Sequence, residues 1–89
     1  MDFEISPGLQ KELRKIKSHD KILTEKIIKQ LVLFQNNHLH SSFRVHKLTG
    51  NLENIWSISI DRNIRMLYFL SEDCAYFFDI GTHDQVYKK

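Results

Sequence analysis

The spacing of apolar residues changes once, near Ser42, and that change dictates most of the fold. Before it, apolar side chains recur every three or four residues, the period of a helix with one buried face. After it they alternate with polar ones, the period of a strand with two unlike faces. A chain with both periods in separate halves packs helices against a sheet rather than interleaving them.

In the first half, Phe3 to Ile5 reads as a short opening strand. Ser6-Pro7 then starts a helix, because Ser6 can cap it and Pro7 suits its first position. Leu9, Leu13 and Ile16 mark its apolar stripe. Ser18-His19-Asp20 breaks it, and Ser18 or Asp20 can cap a second helix over Lys21 to Gln35. Leu23, Ile27, Leu31 and Phe34 form that helix's stripe, widened by Ile28 and Val32. Asn36-Asn37-His38 ends it, since Asn tolerates the left-handed conformation. The short link makes the two helices an antiparallel hairpin.

In the second half, four runs follow: Phe43–His46, Trp56–Ile60, Ile64–Leu70 and Ala75–Ile80. Thr49-Gly50-Asn51, Asp61-Arg62-Asn63 and Ser71-Glu72-Asp73 are the turns, and links this short require antiparallel neighbours. The expected fold class is α+β, in the order β-α-α-β-β-β, an antiparallel twisted sheet with a helical hairpin on one face. Val45, Trp56, Ile58, Ile60, Met66 and Tyr68 suit the face under the helices. The opposite face carries Arg44, His46, Ser57, Ser59 and Arg65, with Leu67 and Phe69 making a half-polar groove fit for a ligand or a partner's helix. At 89 residues the chain is read as a single domain, residues 1–89, with its chemistry in a surface groove rather than a deep cavity.

A net charge of +2 is too small to identify a nucleic-acid binder by itself, so the placement of charge matters more. One cysteine, Cys74, rules out an intrachain disulfide and fits a reducing compartment. Nothing resembles a signal peptide or a membrane span, and a cytoplasmic location is expected. His38 and His40 with His46 or His83 give too loose a spacing for a metal site, and no cofactor is expected. The Lys/Arg run of the helices, interleaved with acids, reads mostly as a solvated face.

His46, Arg65, His83 and Tyr87 are the side chains suited to chemistry on RNA. Cutting RNA without a metal requires a base for the 2′-hydroxyl, a cation for the charge that builds on phosphate, and an acid for the departing 5′-oxygen. Imidazole suits either proton transfer. A guanidinium suits the phosphate, because its planar fork stays charged. An aromatic ring stacks on an unpaired base. Each has a structural reading when taken alone: His46 as a surface residue, His83 as part of a capped loop, Arg65 as packed or paired with a carboxylate, and Tyr87 as a core-sealing ring. The case lies in their convergence.

Ser6-Pro7 before a basic helix, His46-Lys47-Leu48-Thr49-Gly50-Asn51-Leu52, Trp56-Ser57-Ile58, Arg65-Met66-Leu67-Tyr68 and the closing Gly81-Thr82-His83 together resemble the RelE/ParE toxins over nearly the whole chain, most of all their YafQ and YoeB branches. The resemblance implies the toxin of a type II toxin–antitoxin system, an endoribonuclease that cuts messenger RNA on the ribosome. Its partners would be a cognate antitoxin, in an oligomeric complex, and the ribosome with its message. It implies His46 as general base, Arg65 as phosphate stabiliser, His83 as general acid and Tyr87 as the positioning aromatic. Arg44, Lys47 and Arg62 would hold flanking phosphates. Ser59 and Asn63 stand where YafQ-like toxins carry a His and an Asp, which leaves His46 as the base candidate. The same fold also serves ParE-type gyrase inhibitors and would serve a catalytically weak partner of an antitoxin.

Overall fold

The computed structural model describes residues 1–48 and 54–87, the last of these in its backbone only. Strand β1 (Asp2–Ile5) leads into helices α1 (Pro7–His19) and α2 (Lys21–Asn36). A single 3-10 turn (Ser41–Phe43) precedes β2 (His46–Lys47), β3 (Ile55–Ser59), β4 (Ile64–Ser71) and β5 (Cys74–Thr82), and a last helix, α3 (His83–Tyr87), follows.

Local chemistry sets the helix limits. Ser6 Oγ accepts from the Leu9 N–H at 3.1 Å, with Pro7 next in line. Asp20 alone separates the two helices and serves both. Its N–H donates to the Ile16 carbonyl at 2.7 Å, and its carboxylate accepts from the Leu23 N–H at 2.9 Å. Such a cap stabilises a helix by about 1 kcal/mol. Ser18 is not the cap; its hydroxyl turns back to the Lys15 carbonyl at 2.8 Å. Asn37 ends α2 in an extended conformation (φ −155°) rather than the left-handed one expected of it, and Asn36 Nδ2 satisfies the Val32 carbonyl at 2.9 Å.

The sheet order is β1-β5-β4-β3-β2. The expected class and the helical hairpin on one face hold. The sheet is mixed rather than antiparallel throughout, because β1 runs parallel to β5, Phe3 beside Ala75 and Ile5 beside Phe77. The α1–α2 hairpin carries the chain from β1 at one edge of the sheet to β2 at the other, and the antiparallel run from β2 to β5 returns it beside β1.

The two faces sort as the alternation requires. Under the helices, Phe34 is fully buried and meets Phe43, Tyr68 and Phe77 edge-on, with ring centroids 5.8, 5.3 and 5.2 Å away. Ile58, Ile60, Met66 and Tyr68 join this core, and Val45 and Trp56 pack on it. Burial disfavours the Tyr68 phenolate and raises its pKa. Ile28 and Val32 do not widen the buried stripe; both are exposed, one residue round the helix from the buried Ile27 and Leu31.

Two departures shape the other face. The expected strand Phe43–His46 shrinks to His46–Lys47. Phe43 ends the 3-10 turn with its ring under Phe34, and Arg44 takes a left-handed conformation (φ 46°) that no strand accommodates. In β5 one extra residue interrupts the ladder: Leu67 pairs with Asp79 but Tyr68 pairs with Phe77. This bulge at Phe78 shifts the alternation by one. Ile80 thereby returns to the helix-side core while Phe78 packs on the opposite face. That face is not the open groove expected. Leu48, Leu67 and Val86 form a second small core there, and Leu67 is only 2% exposed because α3 lies over it. Phe69, 41% exposed, stays open and stacks on Tyr76 at 5.3 Å.

Candidate active site

Cross-strand register brings the candidate groups to one end of the face away from the helical hairpin. One row runs His46–Ser57–Leu67–Asp79, and the next runs Ser59–Arg65–Gly81. Arg65 leans over β3. Its Nε donates to Ser57 Oγ at 2.7 Å, and its Nη2 donates to the Ser57 carbonyl at 3.2 Å and the Arg44 carbonyl at 2.9 Å. The left-handed turn at Arg44 presents that last carbonyl. All three acceptors are neutral. Among the described residues no carboxylate pairs with it, so the guanidinium is fixed in direction by neutral groups rather than by the carboxylate that was the structural alternative. A cation fixed by neutral groups stabilises developing negative charge without reorganising. Ser57, buried to 0% exposure, is also the cross-strand neighbour of His46, so base candidate and cation meet at this serine.

His83 sits at the rim. It is the first residue of α3, its side chain 70% exposed, with Nδ1 3.7 Å from Asp84 Oδ1. It lines a shallow depression with Arg62, Asn63 and Thr82. A reciprocal cap fixes where α3 begins. The Thr82 N–H donates to Gln85 Oε1 at 2.8 Å, and the Gln85 N–H donates to Thr82 Oγ1 at 3.2 Å. Gly81 makes this possible, because a Cβ there would stand 2.8 Å from Gln85 Oε1 and 3.2 Å from Gln85 Cβ. Val86, 1% exposed, then pins the helix to the second core.

The remaining candidates divide. Arg44 and Arg62 line a cleft between α2 and the β3–β4 turn. Lys47 is not brought to them: it alternates with His46, and its Nζ lies over the Trp56 ring at 5.7 Å on the helix side. The Tyr87 side chain lies outside the described residues, as do Thr49 to Leu52 of the turn motif. Ser59 donates to the Asp61 carbonyl at 2.7 Å, and the Asn63 N–H is held by Asp61 Oδ1 at 2.8 Å. His38 and His40 have structural places, edge-on to Phe34 and Phe43 respectively. Among the described residues no group of three or more His, Cys, Asp or Glu could hold a metal ion.

Sequence reasoning placed Ser57 on the right face but gave it no role, because its only signal was a small polar residue between two strand-core apolar ones. It also missed the cap on α3, although Thr82-x-x-Gln85 is the spacing of a capping box.

Known proteins share this fold. The crystal structure of YafQ from E. coli strain BL21(DE3) superposes with a TM-score of 0.77 at 19% identity, over 97% of each chain. A YoeB/ParE toxin from Agrobacterium tumefaciens gives 0.77 at 16% identity, over 93% of this chain and 99% of that one. The fold is thus that of the RelE/ParE toxins. The protein named RelE4 in Methanocaldococcus jannaschii is 30% identical over 91 residues, which span 99% of this chain and 92% of that protein. The model of the family described as the bacterial toxin of type II toxin–antitoxin system, YafQ, matches residues 1–88. The chain belongs to this YafQ family of type II toxin–antitoxin toxins.

Proposed function

We propose that this toxin is a ribosome-dependent endoribonuclease that cuts messenger RNA by acid–base chemistry and acts in the cytoplasm. What carries the reading is Arg65, oriented by three neutral acceptors and beside His46 across Ser57. In the proposed step, His46 takes the proton of the ribose 2′-hydroxyl. The 2′-oxygen bonds to phosphorus, and Arg65 holds the negative charge that gathers on the phosphate oxygens. The bond to the 5′-oxygen breaks, and His83 gives that oxygen a proton. The products are a 2′,3′-cyclic phosphate and a free 5′-hydroxyl. His46 thus serves as base and His83 as acid, one at each end of the bond being exchanged. Tyr87 is assigned to orienting the RNA, and Arg44 and Arg62 to flanking phosphates. Both proton transfers are supplied by side chains, so the step calls for no cofactor.

A cognate antitoxin is the proposed partner, by analogy with the E. coli DinJ–YafQ complex, whose structure superposes with a TM-score of 0.76 at 20% identity over 97% of each chain. The test is primer extension on a reporter message after brief induction, with and without active translation. Breaks that require translation are expected. Arg65→Ala should lose them while the protein stays folded, and His83→Ala should do the same. An intact message beside a DNA-damage response would replace this reading with gyrase inhibition.

A further inference from the structure

Four cations face one another across a cleft of about 550 Å³ at the edge of the molecule. Lys26 and Lys29 come from α2, Arg44 from the end of the 3-10 turn, and Arg62 from the β3–β4 turn. Asp61 is the one carboxylate among its described lining residues, and it is already engaged. Its Oδ1 accepts from the N–H groups of Asn63 and Ile64, both at 2.8 Å, and its Oδ2 pairs with Lys26 at 3.5 Å. The cleft therefore carries a surplus of three positive charges in a chain whose total is +2, so the rest of the surface is on balance slightly acidic. A charge so concentrated in a concave, partly walled site focuses the field there.

The wall between the cations is polar. Ser41 and Ser42 supply hydroxyls, and Gln30 is buried with its amide donating to the Ser59 carbonyl at 3.0 Å. Among the described lining residues only Ile60 is apolar. An acidic protein segment usually needs an apolar anchor in addition to charge. A nucleic-acid backbone needs charge and hydrogen-bond donors, and nothing else. The cleft also adjoins the candidate active site. Arg62 lines both the cleft and the depression around His83, and the backbone of Arg44 holds Arg65.

We infer that this cleft is a second RNA site, which grips the phosphodiester backbone with Lys26, Lys29, Arg44 and Arg62 whether or not the strand is cut. It goes beyond the nuclease reading, because it assigns binding to two lysines of α2 that cleavage does not use. The backbone could come from the message or from a structured RNA beneath it, and the chemistry recognised is the same.

The test uses the full chain and two probes: a single-stranded oligonucleotide 2′-O-methylated throughout, which has no nucleophile to react, and an RNA hairpin. Affinity is measured against salt for the parent and for Lys26→Gln/Lys29→Gln. Both positions are exposed on α2, and Gln is a good helix former, so the variant should melt like the parent. Each lost phosphate contact should flatten the log–log salt slope by about 0.7 for a single strand or about 0.9 for a double helix. Two lost contacts weaken single-strand binding roughly 20-fold near 0.1 M salt. A loss on the oligonucleotide alone puts the message strand in the cleft; a loss on the hairpin puts a structured RNA there. Unchanged slopes with both probes, in a folded variant, overturn the proposal. So does an oligoglutamate peptide that depends on these lysines while RNA does not. Because the methylated oligonucleotide cannot be cut and only binding is read, failure of the parent to cleave message would remove the nuclease reading and leave this result standing.

Discussion

Replacing Gly81 by Ala tests how the rim of the candidate site is held. The added methyl would lie 2.8 Å from Gln85 Oε1, 3.2 Å from Gln85 Cβ and 3.4 Å from Val86 Cγ1. The first contact is with the tip of a flexible side chain, which can swing away. That tip, however, is the acceptor for the Thr82 N–H, so moving it removes half of the cap on α3, at about 1 kcal/mol. The second contact is not flexible and displaces α3 by a few tenths of an ångström, which loosens Val86 on Leu67 and costs on the order of 1 kcal/mol more. Against this, Ala lowers the entropy of the unfolded chain relative to Gly by about 0.4–1 kcal/mol. The net expectation is a loss of about 1–1.5 kcal/mol. For a domain of this size that lowers Tm by roughly 4–12 °C. Urea unfolding of Gly81→Ala, Gln85→Ala and the double variant would measure it. Removing the Gln85 amide abolishes the 2.8 Å clash, so the double variant should be more stable than the sum of the singles by at least about 0.5 kcal/mol. Message cleavage should also fall, since His83 is the first residue of the displaced helix. A Gly81→Ala protein as stable as the parent, or strictly additive with Gln85→Ala, would refute the account of how α3 is seated.

Ser57→Ala should leave the fold recognisable by circular dichroism but release Arg65 Nε. A hydrogen bond to a charged group is worth about 1.5–3 kcal/mol, so cleavage should drop by about 10- to 100-fold, more than RNA affinity does. A variant with parental cleavage would mean that Ser57 does not orient Arg65. Phe34→Ala empties the point where three rings meet and should cost about 3–5 kcal/mol by urea unfolding; a cost under about 1 kcal/mol would show that the core collapses to fill the space. Burial tends to raise the pKa of Asp61, but the N–H groups of Asn63 and Ile64 and the Lys26 ammonium outweigh it and hold the carboxyl below its ordinary value. Its contribution to stability is therefore complete above the unfolded pKa of about 3.9 and is lost as pH falls through the lower folded value. Asp61→Asn should flatten that acid decline, and parallel pH–stability curves for parent and variant would contradict it.

The change of hydrophobic period was enough to place both long helices and the sheet. Strand alternation alone put Trp56, Ile58, Ile60, Met66 and Tyr68 under the helices and His46 and Arg65 together on the other side. The same parity rule places Lys47 opposite His46, so its separation from the others was also readable. What could not be read has physical reasons. The parallel pairing of β1 with β5 joins residues some seventy positions apart and leaves no local trace. Helix α3 has five residues, too few for a period to show, and betrays itself only in Thr82 and Gln85. The exposure of Ile28 and Val32 depends on how α2 is rotated over the sheet, which neighbouring Ile27 and Leu31 settle by fitting better. Lys26 and Lys29 look like solvated helix residues until the β3–β4 turn is folded against them.

The extra residue in β5 gives that strand two phases, one on each side of Phe78. Everything after it, including the glycine beneath Gln85 and the imidazole that follows, keeps its orientation only because one residue is out of step. Were Phe78 instead forced into an unbroken ladder opposite Leu67, the end of the chain would turn inside out, with Ile80 in water and the toxin's last helix on the wrong side. Losing Phe78 alone would leave Asp79 opposite Leu67 and Ile80 opposite Met66, each on the face it holds now.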